Sequence, residues 1–122
     1  MSATYLNAQS YTGVTTLTVP ASALTCWNCT SLEISQAGPT TGPNAVLTVW
    51  DGAVNTGTII YRRSLSAPTG SVGMTEKINI PTDARGLPCL QSLPGNAMNI
   101  VVTGTGANLV NINARVQDGL GS

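Results

Sequence analysis

The chain has 122 residues, with five basic and five acidic side chains, no histidine and a formal net charge of zero. Charged residues make up only 8% of the chain, where about a quarter is usual, so there is no basic stripe to neutralise nucleic-acid phosphates. No apolar run approaches the roughly 20 residues that span a bilayer. The chain lacks histidine, which is the commonest general base and metal ligand. We therefore expect that it is not an enzyme and that it has no cofactor and no metal site.

The low charge also bears on association with other subunits. Such a surface gives little protection against self-association, which favours a protein that packs against its neighbours. The alternative is a soluble domain whose surface is hydrated through threonine, serine and asparagine side chains. The first residues, Met1 to Tyr5, have neither the charged nor the apolar segment of a signal peptide, so Sec export is not expected.

Short strand patterns separated by turn residues follow one another along the chain. Residues 1–12 are polar and predict an edge strand or an arm that reaches a neighbouring subunit. The segment Val14–Val19 alternates between two faces and ends at Pro20, which predicts a strand. Leu87–Leu93 contains prolines and predicts an edge strand at most. The other predicted strand regions are Leu24–Ser35, Ala45–Trp50, Thr58–Arg63, Thr75–Ile80, Met98–Thr103 and Leu109–Val116.

One hairpin is especially clear in the sequence. The apolar run Ala45–Trp50 stops at Asp51-Gly52, where glycine tolerates the positive φ of a turn. After a short polar loop, a second run rich in β-forming residues covers Thr58–Arg63, the pattern of a β-hairpin. We predict that this hairpin lies at the centre of an antiparallel β domain.

These elements predict an all-β fold. About seven to nine short strands with turn residues between them are typical of an antiparallel β-sandwich, a jelly roll or a small barrel. We expect an antiparallel β-sandwich of jelly-roll-like type over residues 13–117. Residues 1–12 would form the arm or edge strand, and residues 118–122 a flexible tail.

The three cysteines do not form a recognisable chemical site. Cys26 and Cys29 have redox-motif spacing but lie in a β-rich run, whereas a reactive pair is expected at a helix N-terminus. Zinc needs four ligands, and Cys89 supplies only a third. We therefore interpret all three as free, buried thiols. A bridge from Cys26 or Cys29 to Cys89 stays open, since spacing alone does not decide it.

Several side chains are candidates for contact with a partner. Arg62 and Arg63 would anchor a partner's carboxylates, or else one is solvated and the other forms a local ion pair. Trp50 lies on the face opposite Leu47 and Val49, where it is either core of a second face or an interface anchor. The remaining interface candidates, in the N-terminal segment and the Gly-Pro loop at residues 36–44, are Tyr5, Tyr11, Pro39 and Pro43.

Three segments resemble small structural proteins of tailed-bacteriophage virions. The first is Asn44–Gly52 with the following strand Gly57–Arg62, which resembles the "V-x-V-[YW]-D-G" strand and second hairpin strand of those proteins, with Leu47 in place of the first valine. The others are Pro88-Cys89-Leu90 with Leu93, and Val102 to Ala107 followed by a last strand. The resemblance covers roughly residues 30–117 and implies a virion structural subunit that decorates or cements the capsid, with no catalytic residues to transfer.

This resemblance sets the functional expectation. The partners of the protein would be the major capsid protein or other virion subunits. Neither nucleic acid nor a membrane would be a partner. A homo-oligomer is expected, and a trimer fits the threefold positions of capsids. The protein would be made in the host cytoplasm and reside in the virion. The alternatives are a neck or tail subunit, or a carbohydrate- or receptor-binding β-sandwich module that exposes Trp27, Trp50 or Tyr61.

Overall fold

The computed structural model describes residues 3–21, 26–38, 45–65, 73–82, 84–86 and 89–118, and these residues contain strands and turns but no helix. The eight strands are β1 (Ala3–Ser10), β2 (Val14–Val19), β3 (Trp27–Ala37), β4 (Val46–Asp51), β5 (Thr58–Ser64), β6 (Met74–Lys77), β7 (Met98–Thr103) and β8 (Leu109–Asp118).

The strands pair as one long ribbon folded back on itself. β1 pairs with β8, β2 with β7, β3 with β6 and β4 with β5, all antiparallel. The ribbon reverses in the turn between β4 and β5, where Asn55 has a positive φ of 70°. Further pairing of β3 with β8 and of β4 with β7 completes two four-stranded sheets, ordered β1-β8-β3-β6 and β2-β7-β4-β5. This nested order is a jelly roll, which confirms the predicted fold class.

The core lies between the two sheets and follows from the alternation of side chains. Burial alternates strictly along β2 and β4, and on β8 Val110, Ile112, Ala114 and Val116 point inward. β7 is different, because all five residues from Met98 to Val102 are buried, four of them apolar, and the strand lies between β2 and β4. The largest completely buried side chains are Leu32, Leu47, Met98, Ile100 and Ile112.

Two bulges change which side chains face the core. In β3 the register with β8 shifts between Cys29 and Ser31, so Cys29 and Leu32 both point inward although they are three residues apart. In β5 the register with β4 shifts next to Ile60, so Arg63 lies opposite the buried Leu47. A bulge inserts one extra residue and therefore reverses the facing of everything beyond it.

Three strand predictions differ from the structure in detail. The region Thr75–Ile80 forms a strand only to Lys77, and Ile78 just beyond it is buried. Of Leu87–Leu93, the described residues 89–93 form no strand but only one bridge, between Gln91 and Asn28, beside the first residues of β3. The β4–β5 hairpin is the innermost turn of the ribbon, yet β5 lies at a sheet edge and not at the centre.

The cysteines are free, and two of the three are buried. Cys29 is completely buried, and burial raises the pKa of its thiol from 9.0 to about 11, only partly opposed by hydrogen bonding with the backbone of Ser31. The prediction that Cys89 is buried is wrong. It is exposed because the segment around it follows no strand alternation, and its neighbour Leu90 enters the core instead.

The raised pKa of Cys29 predicts a loss of stability at alkaline pH. Below about pH 8 the thiol is protonated in both folded and unfolded chains and contributes no pH dependence. Between pH 9 and 11 the unfolded chain loses this proton first, so the free energy of unfolding falls, by about 1 kcal/mol at pH 10. Urea denaturation of the wild type and of Cys29→Ala at pH 7, 9 and 10 measures this fall in the free energy of unfolding. Parallel dependence of the two proteins on pH would contradict the prediction.

Candidate interaction surfaces

The outer face of the β1-β8-β3-β6 sheet is rich in amide and hydroxyl groups, and we call it the amide face. Its centre is held by Asn7, whose Nδ2 donates to Asn113 Oδ1 at 2.7 Å and to the Ile112 carbonyl at 3.2 Å. From their strand registers, its members include Tyr5, Asn7, Gln9, Ser31, Glu33, Ser35, Thr75, Lys77, Asn111, Asn113 and Arg115.

A shallow groove of about 270 Å³ crosses the amide face where β1, β8 and β3 meet. Tyr5 and Arg115 form one wall, with the guanidinium carbon 5.8 Å from the centre of the ring. Arg115 is fixed further by donating from Nη1 to Thr30 Oγ1 at 2.8 Å. Glu33 and Asn113 line the rest, so the groove combines an aromatic ring, a guanidinium, a carboxylate and an amide.

The outer face of the β2-β7-β4-β5 sheet is different, and we call it the threonine face. Its register places threonines between branched apolar side chains, and Arg62 is the one charged side chain among its described members. Asn99 ties the face to the turn after β4, because it accepts from Thr18 at 2.7 Å and donates to the Gly52 carbonyl at 2.8 Å. Its members are Val14, Thr16, Thr18, Val46, Thr48, Trp50, Ile59, Arg62, Ser64, Asn99, Val101 and Thr103.

The two arginines of β5 have different roles. Arg62 points outward and is exposed, whereas Arg63 points between the sheets and forms an ion pair with Glu76 of β6. This matches the alternative stated from the sequence, in which one arginine is solvated and the other forms a local ion pair. The pair links β5 and β6, the edge strands of the two sheets, so charged side chains cover this side of the sandwich.

The predicted interface residues do not converge on one surface. Tyr5 is 77% exposed on the amide face, and Tyr11 is 71% exposed in the turn between β1 and β2. Trp50 is half-buried on the threonine face, next to Arg62. Pro39 and Pro43 lie outside the described residues. These positions leave the interface prediction untested.

Sequence reasoning missed the groove of the amide face. The outward positions of Asn113 and Arg115 follow from the alternation of β8, and that of Glu33 from the alternation of β3. What the sequence does not show is that β8 lies between β1 and β3, which brings Tyr5 and Glu33 to the two sides of Arg115.

No three histidine, cysteine, aspartate or glutamate side chains of the described residues come together in a way that would hold a metal ion. Within the same residues there is no helix that could cross a membrane.

The chain was compared with known proteins. No protein-family model matches it, and neither does any curated protein. Among solved structures, it is similar to a chain of the infectious bursal disease virus VP2 subviral particle, with 13% identity and a TM-score of 0.48 over 94% of this chain and 30% of that one. A chain of the Gx strain of the same virus gives 14% identity and a TM-score of 0.46, over 94% of this chain and 29% of that one.

A further similarity is to a chain of the nora virus structure, with 11% identity and a TM-score of 0.37, over 95% of this chain and 55% of that one. The chain thus spans less than a third of the two bursal disease virus chains and about half of the nora virus chain.

Proposed function

We propose that the protein is a structural subunit of a bacteriophage virion that decorates or cements the capsid by binding neighbouring capsid subunits. The observation that carries the proposal is the threonine face, which is built on four paired strands and has one charged side chain among its described members. The resemblance of Val46–Gly52 and of the last strands to phage virion proteins supports the same role. On this proposal the protein resides in the virion.

The threonine face suits docking for a physical reason. Depletion of charge is what distinguishes the centre of a protein interface from other surface, because hydroxyl and methyl groups lose less on desolvation than charged groups do. Trp50 and Ile59 add apolar area beside the threonines, and Ile59 is 44% exposed. Trp50 is therefore the expected anchor, and Arg62 at the rim is the expected contact for a capsid carboxylate.

Co-sedimentation with particles lacking the protein tests the proposal. Thr48→Glu places a charge at the centre of the threonine face, and we expect it to weaken particle binding at least about tenfold. Asn111→Glu, which adds the same charge to the amide face, is the matched control and should bind like the wild type. Equal binding by both variants would contradict the proposed surface, and no binding by the wild type would contradict the proposed role. A particle image would distinguish capsid from neck or tail.

The groove of the amide face supports a second candidate function, the binding of a carbohydrate receptor. An aromatic ring beside carboxylate, amide and guanidinium groups matches the apolar and polar sides of a sugar. Of the aromatics predicted for this role, Trp27 is half-buried with its indole N–H bonded to the Pro20 carbonyl, and Tyr61 packs against the core, so Tyr5 replaces them. Glycan-array binding lost in Tyr5→Ala but kept in Trp50→Ala would support it. Absence of any glycan signal would reject it.

A further inference from the structure

The charges on the sheet edges lie on one side of the sandwich. β5 and β6 carry Arg62, Arg63, Glu76 and Lys77, whereas β1 and β2 on the opposite side carry no charged residue. Lysines, arginines, prolines and bulges are what usually prevent edge strands from pairing with other chains. The β5–β6 side is therefore guarded, and the β1–β2 side is not.

The edges on the β5–β6 side have further protection that β1 lacks. β5 has the bulge next to Ile60, and β6 is only four residues long. Beyond β6, the segment around Leu90 covers the edge of β3, with Cys29 N–H donating to the Leu90 carbonyl at 2.9 Å. β2 is also uncharged, but it offers a shorter edge than β1. It has six residues against eight, and it is bounded by Gly13 and Pro20.

β1 has the features of a pairing edge. Its eight residues contain no charge, proline or glycine, and all eight pair with β8 without a register shift. In the part of the chain that the structure describes, no other strand pairs with β1. In antiparallel pairing every second residue of an edge strand directs its N–H and C=O away from its sheet, so β1 presents a row of such groups to solvent.

We infer that β1 pairs antiparallel with β1 of a second copy of this chain, which joins two four-stranded sheets into one sheet of eight strands. A second copy is the fitting occupant because two uncharged, identical strands do not repel each other and the whole chain has no net charge. The inference deepens the proposed assembly role and rests on it for its biological meaning. It predicts an even-numbered, twofold assembly and not the trimer considered from the sequence.

Symmetry allows only registers whose twofold axis passes through a residue of β1, and two of these pair seven of its eight residues. Residues opposite each other must lie on the same face of the sheet, so the twofold axis passes through a residue and not between two residues. An axis at Asn7 sets Tyr5 opposite Gln9 of the second copy, and an axis at Leu6 sets Tyr5 opposite Asn7. In both registers at least seven residues of β1 pair, and exposed Tyr5 gains a cross-strand neighbour.

Disulfide trapping tests this geometry in a Cys89→Ser background, which removes the exposed native thiol. Asn7→Cys or Leu6→Cys lies opposite its own copy in one register each, whereas Gln9→Cys lies on the same strand and never opposes itself. We expect one of the first two to form a covalent dimer under mild oxidation at least about tenfold faster than Gln9→Cys. Equal rates for all three would overturn the inference, and so would faster trapping through Thr16→Cys of β2.

Sedimentation velocity of the unmodified chain provides a measurement that does not depend on cysteine. A small edge interface is weak, so association should appear over about a hundredfold rise in concentration and disappear in Asn7→Lys, but not in Asn113→Lys on the neighbouring strand. A monomer at every concentration would overturn the pairing. If that monomer still binds particles, the proposed function stands. If the chain forms the dimer but never binds particles, the inferred β1 pairing stands and the proposed function is rejected.

Discussion

Replacement of Leu32 by alanine is expected to lower the free energy of unfolding by about 3–4 kcal/mol. Leu32 is completely buried at the centre of β3, within the cluster that joins the inner faces of both sheets. The cost combines lost burial of the side chain with the cavity that remains, because a strand paired on both sides cannot collapse into it. Urea denaturation followed by tryptophan fluorescence measures the change.

The adjacent Glu33 provides the control, since it belongs to the same strand but points to solvent on the amide face. Glu33→Ala should change the free energy of unfolding by less than about 0.5 kcal/mol. Similar losses in both variants would mean that β3 does not present alternate residues to core and solvent, and the sandwich would then be wrong.

Much of this fold is predictable because alternation directly encodes the facing of a strand. The pattern of Val110, Ile112, Ala114 and Val116 is enough to place the inner face of β8, and Pro20 is enough to end β2. Local turn chemistry is equally direct, since Gly52 has the positive φ of 102° expected after Asp51. Such features depend on neighbours in sequence and need no knowledge of the partner strand.

The interaction surfaces are less predictable because they depend on pairing between distant segments. β1 and β8 lie at opposite ends of the described chain, yet together they form one wall of the groove at Tyr5 and Arg115. The bulge in β5 reverses the facing of Arg63 relative to Ile59, and no residue type in the run announces it. Which arginine is exposed is therefore decided by packing against β4 and β6.

The charge distribution connects these observations to assembly. The threonine face and the β1 edge are both free of acidic residues among the described ones, whereas the ion pair of Arg63 and Glu76 closes the opposite side. A subunit that uses one face for the capsid and one edge for a second copy would need this separation. The two contacts lie on different sheets, so both can be made at once.

The second large effect is expected at Asp51, the last residue of β4. The residue is 8% exposed, and its Oδ1 accepts from the Leu93 N–H and from Asn96 Nδ2, both at 3.1 Å. Asp51→Ala would leave these two donors without their acceptor next to the buried Met98. We expect a loss of about 2–3 kcal/mol in the free energy of unfolding, and faster hydrogen exchange at the Leu93 amide.

Asp51→Asn separates hydrogen bonding from simple truncation, because its amide oxygen can accept the same two hydrogen bonds. It should cost less than about 1 kcal/mol and leave exchange at Leu93 slow. The Asp51 turn also supports Asn99 through the Gly52 carbonyl, so Asp51→Ala should disturb one end of the threonine face and weaken particle binding. Equal destabilisation by the alanine and asparagine variants would show that charge, and not the shared acceptor, holds this turn against the end of β4.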